Sequence, residues 1–283
     1  MPKNTAARWT LYVAIAIVFA IVCAFLSDWQ FTRNETRAEA NHLIEANYDA
    51  KPVPLAEAIP VGGAFRAADE WQRVEVTGHY LTDAQLLARN RPLGGTSAFE
   101  VLVPFQTDDG RIFVVDRGWV PPADNDSVPS AVPAAPSGEV TVTMRLRPSE
   151  GLPVSGRSSA PKGQVPTINL PLVGEQTGLA VETSAYGLMA TESPAPANRP
   201  QALDEPTIDP GPHLSYAIQW ILFAVMGFVF IFYMIRTERK HRREDAEDAA
   251  ALAAGETPTV RVKAKRKDRD ADDEDALLDS SAR

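Results

Sequence analysis

No disulfide can form within this chain. Of its 283 residues one is cysteine, Cys23, and that lies inside an apolar run. An exported part of the chain must therefore fold on its own core. Histidine is scarce as well: His42, His79, His213 and His241 are scattered and have no cysteine companions. A zinc site is unsupported on that count. Glycine-rich phosphate loops and the HExxH, CxxC and GxSxG patterns are absent, so neither nucleotide chemistry nor a nucleophilic triad has a motif to rest on. The chain is not expected to be an enzyme. Positive charge is in deficit, with 28 Lys and Arg against 37 Asp and Glu and a formal net charge of −9. That argues against nucleic acid as a partner, which would need a basic footprint.

Apolar residues, by contrast, are concentrated near the two ends. WTLYVAIAIVFAIVCAFL (Trp9 to Leu26) and YAIQWILFAVMGFVFIFYMI (Tyr216 to Ile235) carry no charge. At 1.5 Å per residue each reaches roughly 27–30 Å, the thickness of a bilayer's hydrocarbon core. Lipid offers backbone groups no partners, so both are read as helices. The first run is longer than the apolar part of a signal peptide, and no small-x-small cleavage site follows it.

The flanks give an orientation. Lys3 and Arg8 precede the first run, and Arg236, Arg239, Lys240, Arg242 and Arg243 follow the second, while Asp28 and Asp209 lie at the opposite ends. The positive-inside rule predicts a multi-pass protein of the cell membrane, with both termini cytoplasmic and the middle outside. The expected organisation is a lead over 1–8, a span over 9–26, an extracytoplasmic domain over 27–212, a span over 213–235 and a disordered charged tail over 236–283. The tail's RVKAKRK and DRDADDED blocks are of the kind that stays solvated.

Within the middle region, the first helix is expected to continue to about Tyr48, because neither Pro nor Gly interrupts it before Pro52. Beyond it the pattern is β. WQRVEVTGHY and EVTVTMRLRP alternate apolar and polar residues, and AQLLARNRP is a further strand. FEVLVPFQT and RIFVVDRGWVP are joined by Asp108-Asp109-Gly110, a hairpin signal. Residues 121–138 and 151–163 read as surface loops, and the Pro-rich stretch 193–212 reads as a linker. The fold class expected is two transmembrane helices flanking one mainly antiparallel β domain, a barrel or a sandwich.

Several strings are more specific than any pattern. LSDWQFTRNETR leaves the first span, QRVEVTGHY, FEVLVPF and VVDRGWVP lie in the β region, and HLSYAIQW opens the second span. In this order they resemble the Surfeit-locus family of cytochrome c oxidase assembly factors over about residues 9–236. Two departures are Ser27, where the family usually has Gly, and Gly211, where it often has Asn. The resemblance implies maturation of a haem–copper oxidase, with haem a as a transient cofactor. The oxidase's catalytic subunit and haem a synthase would be the protein partners and the bilayer the surroundings.

Read against that resemblance, His213 is a candidate axial ligand to haem iron at the start of the second helix; the alternative is a histidine that anchors the helix end. Tyr216 and Trp220 follow at i+3 and i+7 on one face, where they either flank the macrocycle or belong to an interfacial aromatic belt. Trp29 and Arg33 occupy the outer boundary of the first span, with Arg33 available to a haem propionate or to a headgroup or acidic side chain. Arg117, Gly118 and Trp119, with Gly78, are read as structural or partner-contact positions; glycine between large residues in a strand signals close backbone approach. Rival functions are a scaffold that stabilises an oxidase intermediate without cofactor, and an unrelated membrane-anchored binding module.

Overall fold

A computed structural model of the chain describes residues 4–93, 96–123, 128–129 and 131–255. The chain divides into two compact units, Met1–Asp28 with Tyr216–Arg283, and Trp29–Ser215.

The first unit contains the apolar parts of two long helices, α1 (Asn4–Asn47) and α4 (His213–Ala253). Both are long and apolar enough to cross a membrane. Large apolar side chains such as Phe25, Val229 and Phe232 stand exposed along them, as lipid-facing residues would. The helices pair antiparallel: Arg8 meets Glu238 at 3.0 Å, the Phe19 ring lies beside Gly227, and the Ser27 hydroxyl donates to the Ala217 carbonyl at 3.0 Å. Ser27 thus supplies a buried interhelix hydrogen bond, and Cys23 is buried in the same unit. The tail was expected to be disordered from residue 236, but α4 runs on to Ala253. The reason is local: RTERKHRREDAEDAAALA consists mostly of good helix formers, and Glu238–Arg242 and Lys240–Glu244 pair at i,i+4. The RVKAKRK and DRDADDED blocks lie outside the described residues.

In the second unit the rest of α1 leads to a short strand β1 (Val53–Pro54) and one turn of helix, α2 (Leu55–Ala58). There follow β2 (Arg73–Tyr80), β3 (Leu86–Leu93), β4 (Thr96–Thr107), β5 (Ile112–Val120), β6 (Glu139–Pro148), β7 (Gln164–Val165), α3 (Leu170–Thr177) and β8 (Ala185–Ser193). The sheet order is β1-β2-β6-β8-β5-β4-β3-β7, and β2 also pairs with β4. That extra pairing closes β2, β6, β8, β5 and β4 into a ring, so the domain is a barrel.

The mainly antiparallel sheet expected from the sequence is mixed. β5 and β8 run parallel, as do β1 with β2 and β3 with β7. A closed ring with an odd number of strands cannot alternate direction all the way round; one seam must be parallel, and here it is β5–β8. The chain reaches that seam because the connection from β6 to β8 is long and carries α3. Asn169 caps α3 by accepting from the Leu172 amide at 3.1 Å, and Gly178 ends it in the left-handed region.

Two cores follow from strand periodicity. Val101, Val103 and Phe105 of β4, Phe113 and Val115 of β5, and Val140, Val142, Met144 and Leu146 of β6 fill the barrel. Leu102 and Val114 point the other way, against Val165, Leu170 and Val173 around α3. β4 and β5 read as near-continuous apolar runs because both their faces are covered. Residues 131–138, read as a surface loop, instead pack Val132 and Ala135 onto the barrel core.

Candidate functional site

His213, at the start of α4, meets the part of α1 that belongs to the second unit. Gln30, one residue after Trp29, places its amide oxygen 2.9 Å from His213 Nδ1. An amide oxygen only accepts, so the neutral ring carries its proton on Nδ1 and keeps a lone pair on Nε2. Among the described residues nothing bonds to Nε2. One turn along α1, Arg33 holds its guanidinium 5.7 Å from the Trp29 ring centroid and has no acidic partner among the described residues. A further turn on, Arg37 donates through Nε to the Asp209 carbonyl at 2.9 Å, and Asp209 Oδ1 accepts from the Gly211 amide at 2.8 Å. Gly211 has φ +66°, which an asparagine tolerates better than most residues, and a Cβ there would stand 3.4 Å from His213 Cδ2. The segment entering α4 is thus tied to α1 at both Gln30 and Arg37.

Tyr216 and Trp220 belong to the other unit. Tyr216 is half exposed, and Trp220 packs edge-on against Phe223 with centroids 5.7 Å apart.

Arg117, Gly118 and Trp119 form a second constellation on β5. Arg117 is fully buried. It donates to both oxygens of Glu192 on β8, at 2.7 and 3.3 Å, and to the Pro133 carbonyl at 3.1 Å. The Tyr80 hydroxyl donates to the same Glu192 carboxylate at 3.0 Å, and the Arg117 guanidinium lies 5.3 Å from the Tyr80 ring centroid. Burial pushes the Tyr80 phenol well up from its ordinary range. Trp119 exchanges two 2.9 Å backbone hydrogen bonds with Gln201, which docks the Pro-rich linker on β5. Gly118 (φ +119°) permits that contact, since a Cβ would collide with the Gln201 carbonyl oxygen. Gly78 on β2 meets the same demand from the Gln106 carbonyl.

A third group, absent from the sequence reading, lies where β3, β4 and β5 meet. Arg91 bonds Glu100 at 2.5 Å and Glu150 at 2.8 Å, and among the described residues the fully buried Asp116 accepts only from the Gly118 amide at 3.0 Å. Burial, reinforced by the charge of Glu100, raises the Asp116 carboxyl well above the usual range, and burial also raises Glu100. Gln30 and Glu192 were missed for different reasons. Gln30 meets His213 across 183 positions of sequence, and its only local signal is a polar side chain at the depth of Trp29 and Arg33. Glu192 sits in a strand the alternation pattern did not find. None of these groups forms a nucleophile–base pair, and no cluster of metal-ligating side chains occurs among the described residues.

The chain is similar to a SURF1-like protein of Mycobacterium tuberculosis, 37% identical over 243 residues, covering 84% of this chain and 88% of that one. A SURF1-like protein of Rickettsia bellii is 24% identical over 79% of this chain and 89% of its own length. The cytochrome oxidase assembly protein of Saccharomyces cerevisiae called SHY1 is 24% identical over 113 residues, 38% of this chain and 28% of that protein. The model of the SURF1 family matches residues 17–225, from within the first apolar run through the barrel and into the second. The chain belongs to the SURF1 family.

Proposed function

We propose that this chain is an assembly factor for haem–copper cytochrome c oxidase, and that it holds haem a for delivery with His213 as an iron ligand. The assembly role follows from family membership and from the yeast relative's name. The family works by assembly and not by catalysis, so the chain is not an enzyme. Both apolar helices cross the cell membrane in this reading, with the termini in the cytoplasm beside Arg8 and Arg236 and the barrel outside.

One observation supports the site above others: Gln30 Oε1 lies on His213 Nδ1. A metal-binding imidazole needs its second nitrogen held by an acceptor, which fixes the tautomer and the ring plane and makes the free nitrogen more basic. Gln30 does this, and it leaves Nε2 to the iron. Arg33, with no acidic partner among the described residues, can meet a propionate, and the Trp29 ring beneath it offers an apolar face. Haem a would supply the redox iron; this chain's own residues bind and orient it. The protein partners are haem a synthase as donor and the oxidase's catalytic subunit as acceptor.

Copurification with haem a, in cells that also make the synthase, tests this. His213→Ala is expected to abolish the haem spectrum. Gln30→Leu should weaken occupancy by about 10–100-fold, the range for losing such a partner. Unchanged occupancy in His213→Ala rejects the ligand. Normal haem a spectra in membranes of a deletion strain reject the assembly role itself.

A further inference from the structure

A second feature of the barrel carries no part of that reading. Arg73 on β2 and Arg145 on β6 are direct cross-strand partners. Like charges in that position repel unless something lies between them. Arg145 is partly satisfied: its guanidinium stacks 3.7 Å from the Tyr48 ring centroid, its Nε donates to the Tyr48 carbonyl at 2.9 Å, and exposed Asp49 stands 3.8 Å away. Neighbouring Arg147 is fully engaged, on the Trp71 ring at 4.0 Å and with Glu70 at 2.5 Å. Arg73 is the exception. Its Nε is shielded from solvent without an acceptor, and no ion pair reaches it among the described residues.

Both arginines line a cleft of about 420 Å³, a size at which pockets begin to hold ligands. Tyr48 and Trp71 wall it, Met189 and Leu203 add apolar surface, and Asp49, Asp204 and Glu205 stand exposed at its rim. We infer that this cleft docks an acidic peptide segment of a partner protein, one carboxylate bridging Arg73 and Arg145 while a neighbouring apolar side chain rests on Tyr48 and Met189. A planar carboxylate matches two guanidinium forks and removes the repulsion between them. The rim acids repel a multiply charged phosphate more strongly than a single carboxylate flanked by apolar groups. The inference does not depend on haem binding.

The test uses the full chain in detergent micelles and two dye-labelled probes, acetyl-Leu-Glu-Leu-amide and its Gln counterpart, followed by fluorescence polarisation. The Glu probe is expected to bind saturably below about 1 mM and the Gln probe at least about tenfold more weakly. Arg73→Gln should erase that preference and Arg73→Lys restore part of it, with thermal unfolding of both variants matching the parent. Equal binding of the two probes, no saturation by the Glu probe, or an unchanged preference in Arg73→Gln overturns the inference. So does displacement of the Glu probe by inorganic phosphate or phosphatidylglycerol vesicles as readily as by unlabelled peptide.

Discussion

Replacing Arg117 with methionine keeps most of its volume and removes its charge. Glu192, whose side chain is 1% exposed, is then left, among the described residues, with the Tyr80 hydroxyl alone. Two hydrogen bonds to the carboxylate and one to the Pro133 carbonyl disappear with the guanidinium. Orphaning one member of a buried ion pair costs about 3–5 kcal/mol, most of it the burden of an uncompensated interior charge. At about 2–4 °C per kcal/mol for a domain of this size, the unfolding midpoint falls by roughly 10 °C. The sharper expectation concerns the double variant Arg117→Met/Glu192→Leu, which buries no lone charge and should recover at least about 2 kcal/mol of the loss. The assay is thermal or urea unfolding of the chain in micelles, followed by tryptophan fluorescence. A single variant within about 0.5 kcal/mol of the parent refutes the reasoning, as does a double variant no better than the sum of its parts.

Burial raises the Asp116 carboxyl above the value near 4 it has when unfolded, so the folded state binds more protons between pH 4 and the raised value. Stability therefore falls as pH rises through that window, by at most about 1.4 kcal/mol per pH unit; Asp116→Asn should flatten the slope and stabilise the protein at neutral pH, as unfolding at pH 5 and pH 8 would reveal. Asp109, held down to about 2 by Arg111, acts oppositely: its contribution is complete above pH 4 and disappears as pH falls towards 2, and Asp109→Asn should remove that acid limb. Alanine at Gly78 or Gly118 forces a Cβ onto a carbonyl oxygen, and each should cost about 2 kcal/mol or more in the same unfolding assay; a loss confined to Gly118 would show that β2 can shift to make room.

The legibility of the fold in the sequence divides along physical lines. The β4–β5 hairpin was plain, because Asp108-Asp109-Gly110 separates two apolar runs and Gly110 takes the positive φ the turn demands. β2 and β6 were plain because one face of each is wet. β8 was not, since AYGLMATES interrupts its apolar face with Gly187, where a Cβ would run into the Met144 side chain. α3 is two turns with a proline inside, too short for helical periodicity to emerge. Missing β8 meant missing both the parallel seam and the acid that Arg117 binds. At the candidate site, His213, Trp29 and Arg33 stood out by lying where apolar runs end. Gln30 has no such signal, because its role depends on the 209–213 segment being fastened to α1.

The parallel seam has a consequence for how the barrel comes into being. Until β8 is inserted, β5 and β6 each present a bare row of backbone donors and acceptors, and no amount of local pairing upstream can cover them. A chain halted between residues 148 and 185 would therefore hold four of the five ring strands yet remain open along one side, prone to recruit a strand from another copy. Completion waits on the last strand before the second apolar helix, so the barrel can be sealed only when nearly the whole middle of the polypeptide has been delivered.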